Sequence, residues 1–323
     1  MKIVHLVLSE DFAGIEQHVD ELLSHNTKIE PFLICNESIA NNFNKKINIY
    51  KIKNIGRRSF FGKNRLKILL RDISPDIVHT HGSKTTTIIA SINKGNYKHV
   101  ASVHGVKKNK KIYEKSNFVI GVSKNVINGI NIDSKVITNW WHPNLSKLPS
   151  GKKKYALAIG RLEKVKGFDY LIESWRNIES ELIIIGSGKE KLNLLNLINQ
   201  NNLSYKIRIV EGVKKNELIK FYKDASVLIV SSRDEGGPRV ALEALYLKIP
   251  VLSTNVGHMD LIFPNDMLAE RDNQIALQSL LESNVDNIET LNQSAIFEFV
   301  ENEFCIGKKI SEINEVYDSL LVN

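Results

Sequence analysis

The feature that most constrains the fold is a regular alternation of short apolar runs with longer amphipathic stretches. The runs are about five residues long and rich in β-branched residues, as fully buried parallel strands are. Because strand–helix–strand alternation produces right-handed βαβ units, we predict an α/β protein with doubly wound sheets. The predicted strands are residues 2–8, 31–35, 77–80, 99–103, 118–122, 155–159, 181–185, 207–210, 227–230 and 250–253, and predicted helices include 168–177, 190–200 and 217–223.

The strand series runs twice, and its interruption at residues 140–154 contains two prolines and three consecutive lysines. We interpret that stretch as a linker between two Rossmann-like domains. The predicted domains are residues 1–148 on the acceptor side and 149–306 on the donor side. A terminal helix over 307–323 is expected to pack back toward the first domain. Ligands of such sheets bind outside the carboxyl ends of the strands, so we expect the two domains to face each other across a cleft.

Composition excludes several other classes of protein. The hydrophobic fraction of 42% and the charged fraction of 25% are typical of a globular chain. Cys35 and Cys305 are far apart and in no metal-type spacing, which favours a reduced compartment and argues against a structural zinc site. The first apolar run is too short for a signal peptide, and no run approaches the roughly 20 residues of a membrane span. We therefore expect a cytoplasmic protein, peripheral at the inner face of the membrane if it touches one.

The net charge of +8 is distributed unevenly. The first 150 residues carry 23 basic and 11 acidic residues, and the remainder carries 21 and 25. From Lys45 to Arg71 there are ten basic residues and no acidic one, with Phe60 and Phe61 among them. Such a segment attracts phosphates or an anionic membrane surface, although it could equally be a solvated basic face. No helix-turn-helix, RRM or zinc pattern accompanies it, so we expect no nucleic-acid partner.

Four loops that follow predicted strands in the second half carry the candidate chemistry. In the first, residues 158–167, a strand ends in a glycine, and Arg161 and Lys166 follow it. An arginine fork and a lysine point charge beside a permissive backbone suit a diphosphate, although surface cations are common.

The next two loops give weaker signals. Gly186 and Gly188 follow a very apolar strand and either admit a ligand close to the backbone or make a tight turn. Residues 211–213 follow another strand and end at Val213, where a base could meet the main chain.

The fourth loop, residues 231–245, gives the strongest signal. Two glycines and Pro238 follow a strand and begin a helix, so unpaired N–H groups and a positive dipole end create a phosphate site. Glu235 precedes the helix, and Glu243 lies two turns into it in apolar company. A buried carboxylate is costly without a partner, and sugar or ribose hydroxyls would supply one. Taken alone, Glu243 could also be a surface helical acid.

Glu235 and Glu243, with seven residues between them, resemble the E-x7-E motif of retaining GT-B glycosyltransferases of family GT4. The two glycine loops precede this motif in the family order, and residues 250–254 with Gly257 follow it. The resemblance covers nearly all of residues 155–262.

The first half is similar to the family more loosely. Gly14 lies in a stretch that looks like the acceptor-side glycine-rich loop, although one glycine stands where two are usual. His81 and His104 follow strands that look like the family's two histidine-bearing strand ends. Residues 140–142 and 257–260 depart from the family pattern, which puts acceptor geometry and donor-sugar inference in doubt.

The resemblance implies a role for each matching residue. Glu243 would bind the donor ribose, and Glu235 would bind hydroxyls of the transferred sugar. Arg161 and Lys166 would neutralise the leaving diphosphate, while His104 would stabilise the transition state, with His81 as second candidate. The further residues assigned to the donor site are Gly14, Gly186, Val213, Gly236, Gly237, Pro238, Arg239 and Val240.

The implied reaction is retaining, metal-independent transfer of a hexose or N-acetylhexosamine from a nucleotide sugar, expected to be UDP-linked. The implied acceptor is a glycan, expected to be lipid-diphosphate-linked, in bacterial surface polysaccharide synthesis. Preorganised positive charge at the departing phosphate would supply the largest catalytic effect, and no Asp-x-Asp of the metal-binding kind lies in the strand-exit loops. The alternatives are a non-catalytic sugar-nucleotide-binding GT-B protein and a GT-B epimerase. An NAD-dependent oxidoreductase is disfavoured because no Gly-x-Gly-x-x-Gly follows the first strand.

Overall fold

The computed structural model describes residues 1–92, 95–147, 153–214 and 217–322. The chain divides into two compact units. The first comprises Met1–Asn139 together with Ile306–Asn323, and the second comprises Trp140–Cys305. Each unit is built around its own parallel sheet with helices on both faces.

The first unit contains a seven-stranded sheet in the order β3-β2-β1-β4-β5-β6-β7. Its strands are β1 (Lys2–Val7), β2 (Glu30–Asn36), β3 (Asn48–Ile52), β4 (Ile77–His81), β5 (Lys98–Val103), β6 (Phe118–Gly121) and β7 (Ser134–Val136). Its helices are α1 (Gly14–His25), α2 (Phe60–Ile73), α3 (Ser83–Ser91), α4 (Lys124–Ile127) and, from the end of the chain, α11 (Ile306–Leu321).

The second unit contains a six-stranded sheet in the order β10-β9-β8-β11-β12-β13. Its strands are β8 (Tyr155–Ile159), β9 (Glu181–Ile185), β10 (Ile207–Val210), β11 (Ala225–Val230), β12 (Val251–Thr254) and β13 (Leu268–Ala269). Its helices are α5 (Phe168–Glu173), α6 (Lys191–Gln200), α7 (Leu218–Asp224), α8 (Arg239–Tyr246), α9 (Gln274–Asn284) and α10 (Ser294–Glu303). The central strands are apolar along their whole length because helices cover both faces of the sheet.

Three strands are absent from the predicted set, and one of them, β7, is only three residues long. β3 lies inside the basic segment and is an edge strand whose residues are largely exposed, so it lacks a continuous apolar run. β13 is two residues long and too short to give a pattern. The predicted helix over 168–177 is also too long, because α5 ends at Glu173.

The chain passes between the units at Asn139–Trp140, nine residues before the predicted domain boundary at 148. The boundary itself, with Pro149 and Gly151 of the predicted linker, lies outside the described residues. The side chain of Trp140, the first residue of the predicted linker, is fully buried. Trp141 stacks on Tyr246 at 3.9 Å between ring centroids, so this second tryptophan packs within the second unit.

The terminal helix α11 belongs to the first unit and packs against α1. Asn314 exchanges buried side-chain hydrogen bonds of 2.8 and 3.2 Å with Asn26. The Tyr317 hydroxyl lies 2.6 Å from Nδ1 of His79 on β4. These polar contacts fix the register of the helix on the sheet, since each buried group is costly without its partner.

The basic segment from Lys45 to Arg71 contains β3 and most of α2. Phe60 and Phe61 at the start of α2 are 77% and 81% exposed. They therefore form an exposed apolar pair within the most basic part of the chain. Among the described residues, every helix is too short or too polar to cross a membrane.

Candidate active site

The second sheet brings two of the predicted loops together at its centre. β8 and β11 are neighbours, and the strand order reverses between them, which opens a crevice at the carboxyl ends of these strands. The loop after β8 carries Arg161 and Lys166, and the loop after β11 carries Glu235. These loops meet although about 70 residues separate them in sequence.

Gly167 allows the two loops to touch backbone to backbone. Its φ of +65° is in the left-handed region, and a Cβ added there would lie 2.1 Å from the carbonyl oxygen of Ser231. Ser231 Oγ donates to the carbonyl oxygen of Lys166 at 3.0 Å, and the Arg233 N–H donates to that of Val165 at 2.8 Å. Glycine is therefore required by both conformation and space.

Arg233 anchors this junction, and no sequence pattern indicates its role. Its guanidinium donates to both carboxylate oxygens of Asp169 at 2.7 and 2.8 Å and to the Lys164 carbonyl oxygen at 2.6 Å. It also lies 3.7 Å from the ring centroid of Tyr170. The hydrogen bonds to Asp169 raise the pKa of Arg233 further above its usual value, so it remains charged. The partner carboxylate lies 64 residues away, which explains why local pattern misses it.

Lys166 and Glu235, two predicted site residues, form an ion pair through Lys166 Nζ and Glu235 Oε1. Their side chains are only 18% and 16% exposed. Ser232 Oγ donates to the same carboxylate oxygen at 3.0 Å. In this arrangement the cation is neutralised by the acid, so an incoming phosphate would compete with Glu235 for Lys166.

Arg161 is placed differently from Lys166. Its guanidinium is 69% exposed and donates to Glu163 at 2.7 Å. The Lys166 side chain instead lies against Gly160, where its Cδ and Cε are 3.3 Å from the position of an added Cβ. The two cations share the loop, but only Lys166 is held in a half-buried position.

Gly186 and Gly188 serve close packing between loops. A Cβ at Gly186 would lie 1.8 Å from the Gly160 carbonyl oxygen, and one at Gly188 would lie 2.4 Å from that of Leu162. The Leu162 N–H also donates to the carbonyl oxygen of Ser187 at 2.8 Å. The glycines thus fasten the second loop to the first, whatever further contact they make with a ligand.

The start of α8 lies beside the Glu235 loop. Pro238 caps the helix with extended backbone, following Gly236 and Gly237, and the first helical residues are Arg239 and Val240. The first N–H groups of a helix have no partner within the helix and favour an anion.

This helix start is packed against the loop after β12. Gly257 there has a φ of +63°, and a Cβ on it would lie 2.9 Å from the Gly237 Cα. Gly257 therefore fixes the position of the glycine pair that precedes α8.

Glu243 is buried, with 6% of its surface exposed, and has a partner. The Tyr222 hydroxyl donates to its Oε2 at 3.0 Å, and burial next to this carboxylate raises the pKa of Tyr222 well above its usual value. Both residues line a cavity of about 440 Å³ with His142 and Asn144. Glu243 is therefore not a surface acid, since its side chain is buried and lines this cavity.

The remaining donor-side residue of this unit, Val213, lies beyond a sharp turn. Gly212 has a φ of +70°, and the Val213 side chain packs against the core cluster that includes Tyr222. Glu211 pairs with Lys191 on α6. Packing of its side chain thus fixes the position of Val213, whose main chain was predicted to contact the nucleotide base.

The first sheet has its own switch point between β1 and β4, and a cavity of about 310 Å³ opens there. His81, His104 and Glu16 line it. Gly14 begins α1 beside Glu16, and neither its φ nor any neighbour within 4 Å requires glycine at that position. Gly14, His81 and His104 thus belong to the first unit, while the other predicted site residues belong to the second.

His104 is part of a hydrogen-bonded series of histidines. Its Nε2 lies 3.1 Å from Nδ1 of His81, whose Nε2 lies 3.0 Å from Nδ1 of His5. Burial lowers the pKa of His104 to about 4 and that of His5 to about 3, so these rings are neutral at pH 7. A neutral imidazole can donate or accept a hydrogen bond but supplies no positive charge.

Known proteins match both units. A family model described as "Glycosyl transferases group 1" matches residues 144–293, and one described as "Glycosyl transferase 4-like" matches residues 4–127. An uncharacterized glycosyltransferase of Methanocaldococcus jannaschii is 27% identical over 337 aligned positions, covering 95% of each chain. The chain is a GT-B glycosyltransferase of the GT4 type.

Two further matches extend over the whole transferase. The Escherichia coli UDP-Gal:alpha-D-GlcNAc-diphosphoundecaprenol alpha-1,3-galactosyltransferase is 23% identical, covering 100% of this chain and 98% of that one. The structure of Anabaena HepE in complex with UDP and glucose has a TM-score of 0.79 at 14% identity, covering 99% and 100%. The matches confirm the predicted GT-B fold and the predicted transferase class.

We expect Gly167→Ala to destabilise the transferase by about 2–4 kcal/mol, since it adds left-handed strain to a clash with Ser231. Gly212→Ala is the matched control, because its φ of +70° carries the same strain with nothing within 4 Å of the added Cβ. Urea unfolding of both variants measures the difference. Equal losses in the two variants would contradict the loop-to-loop contact.

The buried histidines predict acid sensitivity of the first unit. Because their folded pKa values lie below the ordinary 6.5, the unfolded chain binds more protons than the folded one between pH 6.5 and about 4. Stability is therefore complete above pH 6.5 and falls as pH decreases, by about 1.4 kcal/mol per pH unit for each such histidine. Urea unfolding in EDTA should show a shallower pH dependence for His104→Gln and an unchanged one for the exposed His25→Gln. A flat profile from pH 7 to 5 in the unsubstituted protein would contradict this assignment.

Proposed function

We propose that the transferase moves a hexose or N-acetylhexosamine from a UDP-sugar to a lipid-linked glycan, with retention of configuration and without a metal ion. The observation that carries the donor half of this proposal is the half-buried Lys166–Glu235 pair at the switch point. The start of α8, at Arg239 four residues after Glu235, adds the positive end of a helix dipole.

The names of two similar proteins support the choice of nucleotide. The Escherichia coli relative is named for UDP-Gal, and the Anabaena structure is described as a complex with UDP and glucose. Both descriptions include a uridine diphosphate, which favours UDP over GDP. The name of the first also includes a diphosphoundecaprenol acceptor, and a lipid-linked glycan for surface polysaccharide is the acceptor we propose.

The ion pair suggests how donor binding prepares the site. A diphosphate beside the start of α8 would attract Lys166 away from Glu235. Glu235 would then be free to accept hydrogen bonds from hydroxyls of the sugar. Binding of the phosphate and binding of the sugar are coupled in this proposal, because the phosphate binds Lys166 and the sugar binds Glu235 of the same ion pair.

Glu243 is proposed to bind the ribose. Its carboxylate already accepts from Tyr222 and lines a cavity of about 440 Å³, leaving oxygen lone pairs for the ribose hydroxyls. Val213 would contact the base through its main chain, and Arg161 would add a second, exposed cation.

In the transfer step, a bond forms between the acceptor oxygen and the anomeric carbon while the bond from that carbon to the β-phosphate oxygen breaks. The acceptor's hydroxyl proton moves to the departing phosphate, so no covalent enzyme intermediate is needed. Lys166 and the α8 N–H groups stabilise the charge that builds on this phosphate, which replaces the role of a metal ion. His104, neutral at pH 7, is proposed to donate or accept a hydrogen bond at the sugar.

The test is a panel of UDP- and GDP-sugars incubated with tag-free protein in EDTA, with hydrolysis and binding measured. We expect slow release of UDP from one donor. Lys166→Ala and Glu243→Gln should each weaken UDP binding about tenfold or more, as loss of a hydrogen bond to a charged group does. Lys154→Ala, which removes an exposed surface pair, serves as the control.

Two results would overturn this proposal. If no nucleotide sugar binds, the donor assignment fails. If the recovered nucleotide sugar is epimerised and no sugar is transferred, the alternative of a GT-B epimerase is favoured instead.

The segment from Lys45 to Arg71 is proposed to hold the transferase at the cytoplasmic face of an anionic membrane. Phe60 and Phe61 are exposed apolar groups that could enter the lipid interface, and Arg57 and Arg58 immediately before them are exposed as well. Basic residues near such a surface contribute about 1 kcal/mol each. This position would bring the protein to a lipid-linked acceptor.

Charge reversal at Arg57, Arg58 and Lys63 should reduce binding to anionic vesicles by an order of magnitude or more, because three favourable charges become unfavourable. Vesicle co-sedimentation at low and physiological salt measures this. A control carries the same reversal at exposed lysines of the second unit, namely Lys153, Lys189 and Lys220. Unchanged binding of the first variant would favour an acceptor that is not membrane-bound.

A further inference from the structure

Five of the nine histidines of the chain gather in the first unit, and the transfer reaction as proposed uses only one of them. We refer to them as the histidine cluster: His5, His18, His79, His81 and His104. Strand pairing creates its centre, since His5 on β1 lies directly opposite His79 on β4. α1 adds His18, whose ring centroid is 4.7 Å from that of His104.

Two sets of three rings could hold a metal ion. In the inner set, His5, His79 and His81, and in the outer set, His18, His81 and His104, one nitrogen of each ring lies within 4.8 Å of the others. Ligands of a tetrahedral zinc ion with bonds of 2.0–2.1 Å are about 3.4 Å apart. In the outer set, His81 Nδ1 and His104 Nε2 are already 3.1 Å apart. A small movement of His18 would bring its ring nitrogen to the same spacing from the other two.

Charge distinguishes the two sets. A dication held by three neutral rings in a fully buried position is costly without a compensating anion. All three rings of the inner set are fully or almost fully buried. The outer set opens onto the cavity of about 310 Å³, which His81 and His104 line together with the Glu16 carboxylate. Solvent, the carboxylate or an anionic ligand can therefore compensate a cation there.

The inner histidines orient His81 for this role. One assignment of hydrogen-bond donors satisfies all contacts between His81 and the inner residues. His81 Nε2–H donates to Nδ1 of His5, and His5 Nε2–H donates to the Tyr317 hydroxyl oxygen. The Tyr317 hydroxyl in turn donates to Nδ1 of His79. His79 Nε2–H then donates to Ser102 Oγ at 2.7 Å. This leaves the lone pair of His81 Nδ1 directed at the outer set. Ligating histidines are held in the same way, by a hydrogen bond from the other ring nitrogen.

We propose that His18, His81 and His104 bind a divalent transition metal of the zinc class, with one coordination position open to the cavity. Imidazole is a preferred ligand of zinc, cobalt, nickel and copper. Three protein ligands with an open fourth position are typical of zinc sites that exchange a water for an anionic oxygen ligand, such as a carboxylate or phosphate. The assignment rests on the first unit alone and is independent of the donor chemistry.

The metal is not required for transfer in this account. Because His104 would be occupied when the ion is bound, loading with zinc should lower transferase activity, whereas EDTA should leave it intact. This effect is secondary to the binding measurement described next.

Cobalt is the probe, because four-coordinate Co²⁺ gives intense visible absorption and Zn²⁺ displaces it. Tag-free protein stripped with a chelator is titrated with CoCl₂ and then with ZnCl₂. We expect one equivalent of Co²⁺ with a tetrahedral-type spectrum, bleached by one equivalent of Zn²⁺. His18→Gln and His104→Gln should each weaken binding by more than tenfold, and His5→Gln, which removes the acceptor for His81, by about tenfold.

His25→Gln is the matched control, since His25 lies on α1 about two turns beyond His18 and outside the histidine cluster. Circular dichroism verifies that each variant is folded before it is titrated. Binding that disappears in His18→Gln and His104→Gln but persists in His25→Gln supports the site. The proposal is overturned if the folded, unsubstituted protein gives no cobalt spectrum, or if the spectrum persists in both of the first two variants.

Discussion

The backbone contact between the loops after β8 and β11 is the constraint on which the proposed donor site depends. Gly167 touches the Ser231 carbonyl group, and Arg233 binds Asp169 from the opposite loop. These two contacts between the loops place Lys166 of one loop next to Glu235 of the other. A half-buried ion pair of this kind is weak support for stability, because desolvation offsets most of the attraction between the charges. Its use is better explained by a ligand that separates the pair.

The glycines of this region illustrate how one residue type serves several needs. Gly186 and Gly188 are required because other backbone groups of the protein approach them, and Gly167 is also required by its left-handed conformation. Gly14 is different, since the space around it is open and its conformation is accessible to other residues. Sequence alone treats Gly14, Gly186 and Gly188 as ligand-binding candidates, and only the structure separates packing from open space.

The sequence predicts much of the fold and the outline of the site. Most strands are recovered because buried parallel strands are continuous apolar runs, whereas β3 escapes because it is an exposed edge strand. Glu235 and Glu243 are recovered because their spacing around a helix start is a local pattern. Their partners Lys166 and Tyr222 could not be assigned, since these contacts join positions 69 and 21 residues apart. The histidine cluster is equally non-local, because its members come from β1, β4, the end of β5 and α1, and the sequence singles out only His81 and His104.

The two units use the same architecture for different chemistry. In each, the strand order reverses at the centre of the sheet, and a cavity or an ion pair lies at the carboxyl ends of the strands. The second unit supplies cations, a helix start and two acids, which suit a nucleotide diphosphate with its sugars. The first supplies neutral imidazoles at a cavity, and it also carries the exposed Phe60 and Phe61 of the basic segment.

A crystal structure of the protein with UDP bound would test the proposed donor site. We expect the diphosphate at the start of α8, Lys166 Nζ moved from Glu235 to a phosphate oxygen, and Glu243 accepting hydrogen bonds from the ribose. A nucleotide bound elsewhere, or bound at α8 with the Lys166–Glu235 pair intact, would contradict it.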